Sequence, residues 1–314
     1  MTAIKHTTAR IIARPFRDDA DFWRVRDLLI ATYAITPTQF NLDIGRWDGQ
    51  RFHRVDPALD ARWAERIHLW ETEHGQLVGA VHPEDGGDAI LQVHPDYRHI
   101  EDEMLAWAEA HLAVPTQDGQ RRQLVVFAFD YDTPRRRLLA TRGYEQTTQG
   151  AVSRRMRFGK RVLPQPALAA GYTLRTTRAD DAADAQRVAD VLDVAFNRTC
   201  HTTQEIRTFT AHAPSFRRDL DLATEASDGS FAAYVGVAYD QANQRGIFEA
   251  VCTHPLHQRH GLAQALMLEG LQRLKALGAT DAYVDTGDAM PANSLYDAVG
   301  FTEAYRGYIW RKVF

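Results

Sequence analysis

The most informative pattern of hydrophobic and polar positions runs from residue 247 to residue 277. Residues 247–253 are rich in β-branched, aromatic and small side chains, which predicts a strand. Pro255 ends this strand because proline cannot donate a hydrogen bond to a sheet ladder. From Gly261 onward apolar residues recur at helical spacing until Gly278, a typical C-terminal stop. The pattern therefore predicts a strand, a short turn and a helix.

The rest of the chain alternates between strand and helix patterns, which predicts an α/β fold. In the first half we expect strands at residues 11–16, 67–71, 76–82, 89–93 and 124–129, and helices at 22–33, 101–112 and 134–140. In the second half we expect strands at 172–176, 220–224, 231–239, 247–253 and 281–286, and helices at 185–196, 203–212, 261–277 and 291–299. Residues 36–60 show no clear period and are predicted to be irregular.

The two halves match at separated points in the same order, which indicates an internal repeat. Arg14 lies 161 positions before Arg175, and His94 lies 160 positions before His254. Both histidines are followed by a proline. Several matches at nearly one offset predict a tandem duplication, in which each half is an α/β domain with a mixed sheet.

A break in the pattern at residues 158–170 separates the halves. This stretch contains two prolines and several small residues, a composition typical of a linker. The predicted domains are therefore residues 1–157 and residues 171–314. A length of 314 residues fits two domains of ordinary size.

Composition narrows the class of protein. The hydrophobic content of 45% and the charged content of 25% are ordinary for a globular protein. A net charge of −4 argues against a general affinity for nucleic acid or anionic membranes. The chain shows no secretory signal and no apolar run of 18 residues. Cys200 and Cys252 form no spacing motif, so we expect no disulfide framework and a cytoplasmic location.

The turn before the helix at 261–277 can bind an anion. The first turn of a helix carries unpaired N–H groups and the positive end of the helix dipole, and both attract phosphate. Gly261 has no Cβ and Ala263 has only a methyl group, so an anion can approach the backbone, and Arg259 adds a cation. On these residues alone, an ordinary strand-to-helix turn is the better interpretation, because short motifs often match by chance.

The first half differs at the corresponding turn. At the offset of 160 residues, Glu101 falls at the place of Gly261 and Glu103 at the place of Ala263. Carboxylates at a helix N-terminus stabilise the helix but repel an anion. We therefore expect the first half to have kept the fold and lost the site.

These residues resemble the GNAT superfamily of N-acetyltransferases in its tandem, two-domain form. The resemblance rests on Glu249-x-Val251-x-Thr253-His254-Pro255, on Asn293-Ser294-Leu295-Tyr296 before Gly300-Phe301, and on the loop Gln258, Arg259, His260, Gly261, Leu262 and Ala263. That loop matches the family's pattern Gln/Arg-x-x-Gly-x-Gly/Ala. The match extends from residue 172 to the end of the sequence, and it implies that each domain has a mixed, mostly antiparallel sheet flanked by helices.

The resemblance implies a role for each matched residue. The loop at residues 258–263 would bind the pyrophosphate of acyl-CoA through its backbone amides. The preceding strand residues would pair with the pantetheine arm, and a backbone N–H near Val251 would polarise the thioester carbonyl. Tyr296 would protonate the departing thiolate, and Glu249 would deprotonate the incoming amine. The strand residues in question are Val251, Cys252 and Thr253.

One position departs from the family pattern. Many relatives carry an asparagine seven residues before the tyrosine, where this chain has Ala289. Asp288 and Asn293 are nearby, and we expect Asn293 to contact the cofactor. An ordinary core tyrosine and an ion-paired strand carboxylate remain alternatives for the two catalytic residues.

Two other signals argue against a metal site and a nucleic-acid interface, and a third is typical of a core. His254, His257 and His260 recur on a turn without a cysteine or carboxylate to complete a ligand set, so no metal is expected. The basic run at residues 135–137 is typical of a solvated helix face. The aromatic residues Trp47, Phe52, Trp63 and Trp70 are more typical of a core than of a ligand platform.

The sequence therefore predicts an acyl-CoA-dependent N-acyltransferase that uses acetyl-CoA and acts on a small-molecule amine. Residues 196–201 and Glu205 are the expected neighbours of that amine. A CoA-binding module without turnover is an alternative, and a structural duplication that recruits a partner is a third. The sequence leaves the acceptor open among antibiotics, polyamines, amino acids, thiol precursors and protein amines. It leaves the oligomeric state open as well.

Overall fold

The structure is a computed structural model that describes residues 9–84, 86–178 and 180–314, with only the backbone for residues 57–60. The chain forms two compact units. The first comprises the described residues up to Ile44, Pro57–Val152 and Tyr305–Phe314, and the second comprises Gly45–Asp56 and Ser153–Ala304. The predicted domain limits and the linker at 158–170 stay predictions.

The strands carry most of the architecture. In chain order they are β1 (Ile11–Pro15), β2 (His68–Thr72), β3 (Leu77–His82), β4 (Asp88–Val93), β5 (Val114–Pro115), β6 (Arg122–Phe129), β7 (Glu145–Arg157), β8 (Tyr172–Thr176), β9 (Asp221–Ala226), β10 (Phe231–Asp240), β11 (Arg245–Thr253), β12 (Asp281–Gly287) and β13 (Glu303–Val313).

The helices occupy the connections. They are α1 (Asp19–Tyr33), α2 (Ile44–Phe52), α3 (Pro57–Ala64), α4 (Glu101–His111), α5 (Thr133–Thr141), α6 (Ala182–Phe196), α7 (Thr203–His212), α8 (Leu262–Ala276) and α9 (Ala292–Val299). Short 3₁₀ turns at Pro95–Ile100, Arg218–Leu220 and Pro255–His257 complete the described secondary structure.

Both units repeat one sheet topology. In the first unit the strand order begins β1-β2-β3-β4-β6, and in the second unit the order is β8-β9-β10-β11-β12. The first four strands of each set pair antiparallel, and the fourth and fifth pair parallel. This arrangement confirms the predicted α/β class with a mixed, mostly antiparallel sheet flanked by helices.

An ion-pair motif is repeated as well. In the first unit Arg14 pairs with Asp21 at 2.6 Å and with Glu71 at 3.0 Å. In the second unit Arg175 pairs with Asp184 at 2.7 Å and with Glu225 at 2.7 Å. In each case the arginine lies on the strand that begins the sheet order (β1 or β8), and it reaches the helix that follows this strand and the neighbouring strand. The presence of the same ion-pair motif in both units supports the predicted duplication.

Each unit has its own core. In the first unit α4 packs on the sheet through Met104, Leu105 and Ala108. In the second unit α8 buries Leu266, Met267, Leu271 and Leu274 against the sheet. Leu266 and Leu274 are among the apolar positions that predicted the helix.

The prediction that residues 36–60 are irregular was wrong. The structure contains α2, which begins at Ile44 and buries both Trp47 and Asp48 completely. Asp48 accepts a hydrogen bond from the backbone N of Ser215 at 3.0 Å, so the buried side of α2 is partly polar. Because α2 contains a buried carboxylate and two glycines, its sequence lacks the apolar period that would identify a helix.

Candidate active site

The candidate site begins where two parallel strands stop pairing. β11 and β12 pair from Arg245 with Asp281 as far as Phe248 with Val284. Both strands then continue, β11 to Thr253 and β12 to Gly287. On its other side β11 still pairs with β10 in this stretch. The edge of β11 toward β12 therefore carries backbone groups outside the ladder, available to an extended ligand.

Glu249 is the first residue of β11 beyond the paired stretch, and it is exposed. The register between β10 and β11 shifts here, between Val235 and Val237. Gly236 allows β10 to approach β11 closely at Glu249, because a Cβ at residue 236 would lie 2.7 Å from the Glu249 carbonyl oxygen. The proposed base thus lies at the opening between the strands, and its role stays a prediction.

The following strand residues differ in exposure. Val251 and Thr253 are half-buried, and Val251 packs against the core of the second unit. Cys252 is buried, and burial raises the pKa of its thiol to about 12. A thiol with such a pKa stays protonated near neutral pH and behaves as a small apolar side chain. Only the backbone of Cys252 is therefore suited to contact a ligand.

The predicted phosphate loop leads from this strand into α8. Gln258, Arg259, His260 and Gly261 are exposed. Arg259 and Gly261 both have a left-handed backbone, with φ of 68° and 72°. Gly261 is the residue before α8, and no side chain caps the helix there. The loop is thus an exposed turn that ends at an uncapped helix N-terminus.

The start of α8 fits an anion. The first helical hydrogen bond to Gly261 O comes from Ala265 N at 3.0 Å, so the N–H groups of Leu262, Ala263 and Gln264 lie in the unpaired first turn. An added Cβ at Gly261 would meet no atom within 4 Å, which shows open space at this point. Leu262 is buried and anchors the turn, whereas Ala263 is half-buried. These features suit a pyrophosphate group.

Tyr296 lies in the middle of α9, and it is 4% exposed. Its ring packs edge-to-face against Phe301, with 6.2 Å between the ring centroids. Burial, and then the charge of Asp285, raise the pKa of Tyr296 to about 12. The hydroxyl therefore keeps its proton at neutral pH, as a donor to a leaving sulfur must.

Asn293 shapes the turn between β12 and α9. Its amide nitrogen donates to the carbonyl oxygens of Gly287 and Asp288 at 3.1 Å and of Met290 at 3.0 Å. Its Oδ1 accepts a hydrogen bond from Arg154 Nε at 2.8 Å. Both ends of this amide are engaged within the second unit, and the predicted contact between Asn293 and the cofactor stays a prediction.

The residues predicted to contact the amine lie at α6 and α7. Phe196 ends α6 and is 43% exposed. Glu205 in the first turn of α7 lies 3.3 Å from His53 Nδ1, in the segment Gly45–Asp56 of the same unit. His53 also stacks on Phe209, with 4.2 Å between the ring centroids. These contacts of His53 were not predicted, because residues 36–60 show no clear period in the sequence.

One group of potential metal ligands occurs among the described residues: Asp193, Cys200 and His201. Asp193 Oδ1 accepts hydrogen bonds from the backbone N of Cys200 and of His201 at 3.2 Å, and it lies 2.6 Å from His201 Nδ1. This carboxylate therefore organises the turn after α6 through hydrogen bonds. The expectation that the protein holds no metal stays a prediction.

A surface cavity of about 670 Å³ lies elsewhere in the second unit, with Thr177, Asp181 and Arg218 among its lining residues. None of the predicted site residues lines it. Geometry that matches the expected chemistry is a stronger guide than cavity size, so we place the candidate site at the opening between β11 and β12.

The corresponding turn of the first unit is filled by its own side chains. Glu101 opens α4 and is 2% exposed. Arg98 Nε donates to one of its carboxylate oxygens at 2.6 Å, and Arg135 Nε donates to the other at 3.0 Å. Glu103 accepts a hydrogen bond from Trp70 Nε1 at 3.0 Å. Together with Asp102, these two carboxylates stand in the first turn of the helix that corresponds to α8.

No helix in the described part of the chain is long and apolar enough to cross a membrane.

Comparison with known proteins finds similarity to acetyltransferases in both the family profile and a curated relative. A sequence profile described as the acetyltransferase (GNAT) family matches residues 188–301. A mycothiol acetyltransferase from Kineococcus radiotolerans is 29% identical to this chain over 272 residues, which are 82% of this chain and 86% of that protein.

Two solved structures share the fold over nearly the whole chain. A GCN5-related N-acetyltransferase from Sphaerobacter thermophilus has a TM-score of 0.65 and 17% identity, and the match covers 96% of this chain and 95% of that one. A tandem GNAT protein from the clavulanic acid biosynthesis pathway has a TM-score of 0.64 and 17% identity, with 97% and 98% covered. At such identity the likeness concerns the fold, and it is that of a tandem GNAT protein.

Proposed function

We propose that this chain is an N-acetyltransferase that transfers an acetyl group directly from acetyl-CoA to the amine of a small molecule. In support, the profile of the acetyltransferase (GNAT) family matches residues 188–301, and the mycothiol acetyltransferase relative is 29% identical. The second unit would carry the reaction. The observation that carries the proposal is the opening between β11 and β12, which leads to the uncapped N-terminus of α8. An extended thioester with a pyrophosphate group needs both features.

Binding of the donor would use the backbone. The N–H groups at the start of α8 would hold the pyrophosphate, with Arg259 and His260 beside them and Gln258 at the entrance of the loop. The free edge of residues 251–253 would pair with the pantetheine amides. A backbone N–H near Val251 would polarise the thioester carbonyl, which is worth several kcal/mol where such donors are preorganised.

Glu249 and Tyr296 would divide the proton transfers. Glu249 would take a proton from the attacking ammonium, so that the free amine can attack the thioester carbon. A new C–N bond then forms, the nitrogen releases its second proton to solvent, and the C–S bond breaks. Tyr296 would give its proton to the departing sulfur and regain one from solvent. A general acid or base contributes roughly 10²–10⁴ in rate. The high pKa of Tyr296 keeps this proton in place before the reaction.

The acceptor is proposed as a small amine that belongs to a thiol precursor. This choice rests on the name of the Kineococcus radiotolerans relative, a mycothiol acetyltransferase. Similarity at 29% identity makes such precursors the first acceptors to test. Aminoglycosides, polyamines and amino acids form the comparison set.

Turnover assays on the wild type, Tyr296→Phe and Glu249→Gln test the proposal. We expect acetylated amine and free thiol in equal amounts, with kcat lower by about 10²-fold or more in each variant. Because the pKa of Tyr296 is about 12, the wild-type rate should show no loss from this hydroxyl up to about pH 10. Tyr308→Phe is the matched control and should keep full activity.

Two results would contradict the proposal. Binding of CoA without turnover of any amine would favour a non-catalytic CoA-binding module. Full activity of Tyr296→Phe would remove this tyrosine from the reaction.

A further inference from the structure

Arg154 is a buried arginine near the end of β7, and its guanidinium faces α9. It is 8% exposed. Its Nη1 forms a short ion pair with Asp297, and Nη2 lies 3.3 Å from the second oxygen of the same carboxylate. Nε donates to Asn293 Oδ1 at 2.8 Å, and Nη1 also donates to Phe301 O at 3.3 Å. One side chain thus reaches three points on and around α9.

These three contacts lie before and after Tyr296, the proposed general acid, along the chain. Asn293 lies three residues before Tyr296, near the start of α9, and Asp297 directly follows it. Phe301 lies just beyond the left-handed Gly300 that ends the helix. Through Asn293, Arg154 is also linked to the turn at Gly287–Met290 that brings the chain from β12 into α9.

The position of α9 depends on contacts with residues outside the helix. α9 is only 8 residues long, and no side chain caps its N-terminus. Helices of this length are marginal by themselves, so their position depends on tertiary contacts. Among the described residues, Arg154 supplies charged contacts toward both ends of α9.

The charge of Arg154 acts on Tyr296 as well. Burial and Asp285 raise the pKa of Tyr296, and the positive charge of Arg154 opposes them. A lower pKa makes the hydroxyl a better proton donor. Removal of Arg154 should therefore both loosen the helix and make Tyr296 a poorer acid.

We propose that Arg154 is a positioning residue for acyl transfer, which holds α9 so that the Tyr296 hydroxyl faces the departing sulfur. This inference rests on the proposed function, in which Tyr296 is the acid. Arg154 does not touch the substrate in this account. A shift of about 1 Å in a catalytic group can cost about 10²-fold in rate, so the loss of these contacts should appear in kcat.

A double-mutant cycle tests whether Arg154 acts through Tyr296. The four proteins are the wild type, Arg154→Met, Tyr296→Phe and the double variant, assayed for kcat with the best acceptor and for acetyl-CoA affinity by calorimetry. We expect Arg154→Met to lower kcat about 10- to 100-fold in the wild type and less than about threefold in the Tyr296→Phe background. Acetyl-CoA affinity should stay within about twofold, because the loop before α8 is unchanged.

A purely structural role would give another pattern. An equal loss of kcat in both backgrounds would overturn the inference, because Arg154 would then act independently of Tyr296. Full activity of Tyr296→Phe would instead refute the acid role itself and, with it, the proposed function of Tyr296. The two failures are thus distinguishable.

Conservative and control variants cover the case in which Arg154→Met does not fold. Arg154→Lys keeps the charge but loses the forked geometry, so we expect a kcat between those of Arg154→Met and the wild type. Asp297→Asn removes the ion pair at a side chain that is 63% exposed and can replace Arg154→Met in the cycle.

Arg157→Met is the matched control: Arg157 is 59% exposed and pairs with Glu303, and its loss should leave kcat unchanged. Wild-type kcat in folded Arg154→Lys and Asp297→Asn proteins would also overturn the inference.

Discussion

Arg135 donates a hydrogen bond from Nε to Glu101 Oε2 at 3.0 Å, and both side chains are buried. Burial alone would raise the pKa of Glu101, but Arg135 and Arg98 lower it below its ordinary value. The carboxylate is therefore charged at neutral pH. It stands at the first residue of α4, where the second unit has Gly261 before α8. The first unit thus places its own anion where the second would place a phosphate.

Replacement of this carboxylate should destabilise the protein without creating a second binding site. In Glu101→Gln the buried Arg135 loses a charged partner, and we expect the free energy of unfolding to fall by about 3 kcal/mol. Denaturant unfolding measures this change. Asp102→Asn is the control, because Asp102 is 64% exposed and its pair with Arg142 should contribute less than about 1 kcal/mol. Equal effects of the two substitutions would contradict the argument.

Gly236 should be intolerant of a methyl group. In Gly236→Ala the new Cβ would lie 2.7 Å from the Glu249 carbonyl oxygen, so β11 has to move at the proposed site. We expect a loss of about 1–3 kcal/mol in stability and a fall in kcat that exceeds the loss in acetyl-CoA affinity. Gly86→Ala is the matched control, because a Cβ there meets no atom within 4 Å. Wild-type stability and activity of Gly236→Ala would show that β11 accommodates the methyl group.

Acid should unfold the protein partly through Asp184. Burial raises the pKa of Asp184, but the hydrogen bond and charge of Arg175 and the backbone N–H of Arg178 lower it by more. A carboxylate whose pKa is lower in the folded state contributes stability above its unfolded pKa, about 3.9, and loses it as the pH falls through the folded value. Unfolding free energy should therefore fall below about pH 4 in the wild type.

The Asp184→Asn variant checks the sign of this effect. It should be less stable at pH 7 and should lose less stability between pH 5 and pH 2 than the wild type does, as measured by urea unfolding. Asp180→Asn is the control, because its pair with Arg218 is exposed on both sides. A steeper pH dependence in Asp184→Asn would contradict the argument.

Elements with a strong period were predictable from the sequence. The pattern from residue 247 to residue 277 predicted β11 and α8 because apolar side chains on one face and breakers at Pro255, Gly261 and Gly278 all indicate the same boundaries. The duplication was visible because the repeat keeps residues such as Arg14 and Arg175, which form the same ion-pair motif in both units.

Elements whose buried faces are polar were not predictable. α2 buries Asp48 together with Trp47, and β7 spans 13 residues of which most are polar. The link between Arg154 and Asp297 joins residues 143 positions apart, and neither lies in a recognisable motif. Hydrophobic periodicity in a sequence indicates which apolar side chains are buried. It does not indicate buried carboxylates or ion pairs between residues far apart in the chain.

We propose that the second unit alone binds the donor, at the start of α8. Calorimetric titration of acetyl-CoA into the wild type, Gly261→Asn and Gly261→Asp tests it most directly. Asparagine and aspartate both tolerate the left-handed backbone at φ of 72°; they have nearly the same size, but aspartate carries a negative charge and asparagine an uncharged amide. We expect one site per chain in the wild type, similar binding in Gly261→Asn and loss of binding in Gly261→Asp. Two sites per chain, or equal affinity in both variants, would contradict the account.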